Sequence, residues 1–404
     1  MMSQSIQSKL LASLFLLCGV VACNPKTTNS VLLEEILFNS QDSAINRVCS
    51  SLARHEVQIL YTRINRSEQG LVSFERHSFQ ENSGQYFYPA STVKLPVAIL
   101  ALEKIRRLQS EGVAMTSETP FDVTHHGKLL NRQDSTHPDR QLTIGHLIKK
   151  IFLVSDNMAY NYLFDFVGSD AMNASIHAKG IHDFQLVHKF WDPENTADNF
   201  GFVFFGPAGD TLYQQSPIAA KAESTPAGLQ GTFKGKGYWA DGQIVGQPMD
   251  FSKKNYSSLT ALQQILERVI FPELFNEQQQ FKIDPEDQSF LQYWMSRVPT
   301  EVEVPFYDRT DYFDSYGKFL IYGDQKGAMR PEVRIYNKVG LAYGTATDVA
   351  YIRDDEGVEF FLTATILSNA NQIYNDDQYE YDQVGIPFLA ALGRAIYNFE
   401  KDRN

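Results

Sequence analysis

Apolar residues recur with two different periods along the chain, and the change from one period to the other predicts its elements. V-Q-I-L-Y-T-R-I from Val57 and L-V-S-F-E-R-H-S-F from Leu71 are rich in β-branched and aromatic residues and flank the polar stretch N-R-S-E-Q-G. They predict a β-hairpin. R-I-Y-N-K-V-G-L-A-Y, T-D-V-A-Y-I and E-F-F-L-T-A-T-I-L, between residues 334 and 367, predict three further strands, with Asp354 to Gly357 as a turn. Helical spacing predicts a helix from Leu33 to Leu52, one from about Ser91 to Leu108, two either side of Ser155-Asp156-Asn157, one over Ser257 to Leu266, and a closing helix through F-L-A-A-L-G-R-A-I-Y. Helix, two strands, a helical block, three strands and a final helix specify a five-stranded antiparallel sheet with helices on its faces, joined to an all-α subdomain. Residues 200 to 251 are rich in glycine and aromatics, with a hairpin expected around Gly235 to Gly242. They read as an insertion in this plan, either a lid or a surface elaboration. Residues 285 to 322 form a further stretch rich in aromatic and acidic residues, to which no element is assigned.

Composition narrows the class. The chain has 404 residues, 43% of them hydrophobic and 13% aromatic, enough for a sizeable core. A net charge of −12 argues against a nucleic-acid partner, which demands clustered Lys and Arg. The first segment places Lys9 before an apolar run from Leu10 to Val21, too short to span a bilayer. It reads as a secretory signal, and V-V-A-C ending at Cys23 resembles a bacterial lipobox. Lipidation of Cys23 would leave a periplasm-facing protein tethered by lipid alone, with Asn24 directing it to the outer membrane, residues 23–32 as tether and a catalytic body over 33–400. Of three cysteines only Cys49 then remains, so no internal disulfide is available.

The chemistry lies in short motifs held in context. Ser91 and Lys94 form Ser-x-x-Lys in Y-P-A-S-T-V-K-L-P-V-A-I-L, ahead of a strongly apolar helix. Ser155-Asp156-Asn157 joins two apolar helices, the second carrying A-x-N-x-L. Lys338-Val339-Gly340 lies on a strand, and F-W-D-P-E-N occupies 190 to 195. Together these resemble the serine β-lactamases and penicillin-binding proteins, most closely class A. The resemblance implies Ser91 as nucleophile, Lys94 as its base and Ser155 as proton relay to the leaving nitrogen. Asn157, Lys338 and Gly340 would bind substrate, the N–H of Leu341 would complete an oxyanion hole with that of Ser91, and Asp156 would hold the loop. Asp192 aligns with the water-activating glutamate of the family, with Glu194 as competitor. Val339 departs from the family by lacking a hydroxyl for the substrate carboxylate, so restoring it as threonine is expected to improve penicillin turnover. No arginine lies near Thr347.

The implied reaction is acyl transfer through a Ser91 ester and its hydrolysis, without a metal or organic cofactor, on a β-lactam or a peptidoglycan-derived substrate, by a monomer. A cell-wall peptidase or esterase of the same superfamily, and a slowly deacylating penicillin-binding sensor, are the alternatives. The histidines, including His125-His126, His182 and His188, lack the spacing of a helical metal pair and read as surface or hydrogen-bonded residues.

Overall fold

Residues 29–191, 198–219, 225–226, 228–327 and 329–403 are described in a computed structural model. The helix expected over Leu33 to Leu52 is three short ones, α1 (Val31–Phe38), α2 (Ser43–Cys49) and α3 (Leu52–His55). The polar run Asn39 to Asp42 interrupts it, because the Asp42 carboxylate accepts from Ala44 N at 2.8 Å and starts a new helix. The predicted hairpin follows as β1 (Gln58–Arg66) and β2 (Val72–Phe79), then one 3₁₀ turn over Ala90–Val93 leading into α4 (Lys94–Ser110). A short hairpin, β3 (Phe121–His125) and β4 (Lys128–Leu129), precedes α5 (Ile144–Val154), α6 (Asn157–Val167) and α7 (Ser169–Ala178).

The insertion adds β5 (Phe184–Gln185) just ahead of it, then β6 (Gly201–Phe205), β7 (Thr211–Gln215), β8 (Phe233–Lys234), β9 (Gly237–Ala240), β10 (Gln243–Val245), β11 (Met249–Asp250) and, beyond it, β12 (Tyr256–Ser257). The expected hairpin is β9–β10, turning at Asp241-Gly242, where both residues have positive φ as a two-residue turn requires. Helices α8 (Leu259–Ile270), α9 (Pro285–Ser296) and α10 (Phe319–Tyr322) come next, so part of the unassigned 285–322 stretch is helical. The chain ends with β13 (Arg334–Ala342), β14 (Thr345–Arg353), β15 (Glu359–Leu367), β16 (Ile373–Tyr374) and α11 (Ile386–Arg403).

The main sheet is five-stranded and antiparallel in the order β13-β14-β15-β1-β2. Its two faces feed two apolar cores. Ile59, Tyr61, Ile335 and Leu362 join Leu33, Leu37 and the α11 residues Phe388, Leu389 and Leu392. Leu60, Ile64, Val349 and Phe361 face the helical block of α4, α5, α6 and α8. Both faces of β14 and β15 are covered, so nearly every residue of the two strands is buried. In the insertion β6 and β7 extend β3 and β4 into a second, four-stranded sheet.

Candidate active site

Ser91 stands in the 3₁₀ turn at the head of α4, half-buried, after Ala90, whose φ of 47° is unusual for a residue with a side chain. Thr92 fixes the turn by donating to Pro89 O from both its N–H (3.1 Å) and its hydroxyl (2.6 Å). Strand β13 runs against this turn. A Cβ built on Gly340 would lie 2.5 Å from Pro89 O and 3.1 Å from Ser91 N. Only glycine lets the two backbones approach so closely, and this brings the Leu341 backbone, with a partly exposed side chain, to the nucleophile's edge.

Behind Ser91 the other predicted residues converge. Lys94 is fully buried, and its amine donates to Asn157 Oδ1 at 2.7 Å, to Ser155 Oγ at 3.3 Å and to Ser155 O. Lys338, also buried, donates to Ser155 Oγ at 2.9 Å and to Val339 O at 2.7 Å. The Ser155 hydroxyl therefore sits between two amines. Burial, reinforced by the nearby charge of Lys94, holds the Lys338 ammonium well below the usual lysine range. Such an arrangement can pass a proton along Lys94, Ser155 and Lys338.

The S-D-N turn is built by capping. Ser155 ends α5 in the left-handed conformation, with φ 59°, which aims both of its oxygens at Lys94. Asp156 caps α6 by accepting from Ala159 N at 2.7 Å, the loop-holding role expected of it. Asn157 opens α6, and its Nδ2 already donates to Trp191 O at 3.1 Å, so one amide hydrogen remains for a ligand.

Asp192 and Glu194 lie outside the described residues, but both flanks of their segment are fixed by one face of α6. Asn161 exchanges hydrogen bonds with Phe190, each 2.9 Å, and Asp165 Oδ2 accepts from Lys189 Nζ and from Phe200 N, each 3.0 Å. Burial pushes the Asp165 carboxyl up to about 6, although Lys189 opposes it. The signal for these anchors was available: Asn157, Asn161 and Asp165 recur every fourth residue on an otherwise apolar helix.

One expectation changes. Val339 does not line the cleft; it is buried in the apolar core that includes Leu320 and Ile321, because alternation along β13 turns it away from Lys338 and Gly340. The same face carries Asn337, which accepts from Lys318 Nζ at 2.7 Å and donates to Asp348 Oδ1 at 2.8 Å, pinning the strand beside Lys338. The insertion packs back onto the body of the fold. It braces the segment before the nucleophile: Tyr86 N donates to Gln230 O and Gln230 N to Gly84 O, each 2.8 Å. Phe251 packs with Tyr86, Tyr88 and Tyr343 at centroid distances of 5.7, 6.0 and 5.3 Å.

A mixed fold of this topology, with a serine at a helix head and two lysines converging on a second serine, defines a hydrolase of the serine β-lactamase type. The sequence matches the model of the beta-lactamase enzyme family over residues 42–283, and the chain belongs to that family. The fold is similar to that of a class A β-lactamase from Bacteroides cellulosilyticus (14% identity, 89% of this chain and 98% of that one, TM-score 0.50). It is also similar to that of the TLA-1 extended-spectrum β-lactamase (13% identity, 91% and 98%, TM-score 0.51). No curated protein matches the sequence.

Proposed function

We propose that the protein hydrolyses β-lactams through a covalent Ser91 ester. The carrying observation is the Ser155 hydroxyl held between the amines of Lys94 and Lys338. In this reading the Ser91 hydroxyl attacks the lactam carbonyl and its proton passes to the Lys94 amine. The N–H groups of Ser91 and Leu341 stabilise the oxyanion, and Ser155 delivers a proton to the nitrogen as the C–N bond breaks. Asn157 and Lys338 hold the substrate's amide and acid groups. Water, activated by Asp192 or Glu194, then cleaves the ester. A fluorescent penicillin is expected to label the protein, and Ser91→Ala to abolish the label; labelling that persists in the variant refutes the acyl-enzyme.

With Val339 turned into the core, that position offers nothing to a substrate carboxylate, which favours a second reading, a cell-wall peptidase or esterase using the same machinery. Against such an enzyme a penicillin ester would persist, so the lifetime of the label by intact-protein mass spectrometry separates the two. The lipobox-like run ending at Cys23 supports a periplasmic, lipid-anchored location, for which incorporation of labelled fatty acid, lost in Cys23→Ala, is the test.

A further inference from the structure

Sequence spacing alone gives His125 and His126 no metal partner, but folding brings one from far along the chain. The β3–β4 hairpin turns at His126-Gly127, both with positive φ, so two consecutive residues that would point to opposite faces of a straight strand present their rings together. The ring centroids are 3.9 Å apart. His125 Nε2 lies 3.2 Å and His126 Nε2 3.4 Å from the same atom, Asp198 Oδ2. Among the described residues this is the one group whose His, Cys and carboxylate donor atoms all fall within 4.8 Å of one another.

The geometry points to a zinc-class metal site at His125, His126 and Asp198. Two ligand atoms each about 2.0–2.1 Å from a tetrahedral zinc are roughly 3.3 Å apart, so the two separations from Asp198 already suit a common cation, and the two imidazole nitrogens lie within 4.8 Å of each other. Two imidazoles and a carboxylate suit zinc and its borderline neighbours; calcium and magnesium prefer all-oxygen shells. Water would complete the coordination, since His126 and Asp198 are open to solvent. The nearby Lys189 amine, 3.1 Å from Asp198 O, does not repel the ion with a free charge, because it is paired with Asp165. A metal here would tie the β3–β4 hairpin to the residue that directly follows the 192–197 segment, outside the machinery assigned to acylation.

The test uses the whole mature chain without a polyhistidine tag, titrated with zinc chloride by calorimetry and with cobalt(II) by ligand-field absorbance. One equivalent is expected to bind, with cobalt bands of a nitrogen–oxygen site and a Tm raised by zinc. His126→Ala and Asp198→Asn, both at exposed positions, are each expected to weaken binding at least about tenfold while leaving the metal-free Tm near that of the wild type. Absence of stoichiometric binding, or binding unaltered in both variants, overturns the site.

Discussion

Replacing Gly340 with alanine tests whether the close approach of β13 to the nucleophile turn is a working part of the site. The added Cβ would meet Pro89 O at 2.5 Å, Thr92 N at 3.0 Å and Ser91 N at 3.1 Å, whereas an ordinary contact begins at 3.4 Å. All three atoms belong to backbone, so no side chain can rotate aside. Strand or turn must move by about 1 Å, a misplacement that costs roughly a hundredfold when it separates reacting groups. The accompanying loss of stability should be about 1–3 kcal/mol, typical of an overpacked contact. The second-order rate of labelling by a fluorescent penicillin measures the first effect and denaturant unfolding the second. A variant that unfolds as expected yet labels within threefold of wild type would refute the argument that Gly340 sets the geometry of Ser91 and Leu341.

Asp192→Asn is expected to acylate normally and accumulate the acyl-enzyme while Glu194→Gln turns over like wild type; the reverse pattern in mass spectra transfers the deacylating role to Glu194. Val339→Thr places a hydroxyl in an apolar core, so about 1–3 kcal/mol of stability should be lost with no gain in penicillin labelling. Enhanced labelling would return that side chain to the cleft. Burial lowers the Lys104 amine to about 7, against about 10.4 in an unfolded chain. Between these values the unfolded state holds the extra proton, so the contribution of Lys104 to stability rises with pH across that window and is least below pH 7. Lys104→Met should remove this slope, its stability relative to wild type being highest near pH 6 and falling by roughly 1.4 kcal/mol per unit above pH 7; parallel profiles would contradict the assignment.

The strands at 58–79 and 334–367 and the α5–α6 pair were legible because each is specified by neighbours within a few residues. So was the grouping of Lys94, Ser155 and Asn157, which rests on turns and caps that the local sequence encodes; folding brings the three together and sets Lys338 on Ser155. The break at Asn39 to Asp42 was missed because apolar spacing continues across it; only the side chain of Asp42 favours a new start. The face taken by Val339 follows from strand register, which a motif does not state. What the insertion touches, and the approach of Asp198 to His125 and His126, are contacts between residues far apart in sequence and leave no periodic trace.

Asp165 also bears on how this enzyme can change. One carboxylate oxygen receives both the Lys189 amine and the Phe200 N–H, so the chain between them behaves as a closed ring whatever its own conformation. The entropy of such a ring grows only logarithmically with its length, about 0.6 kcal/mol for each doubling. Residues could thus be added or removed around Asp192 and Glu194 at little cost to the fold, provided that the clasp is kept. If Asp192 or Glu194 serves as proposed, deacylation could be retuned by insertion or deletion between Lys189 and Phe200, both of which α6 holds through Asp165.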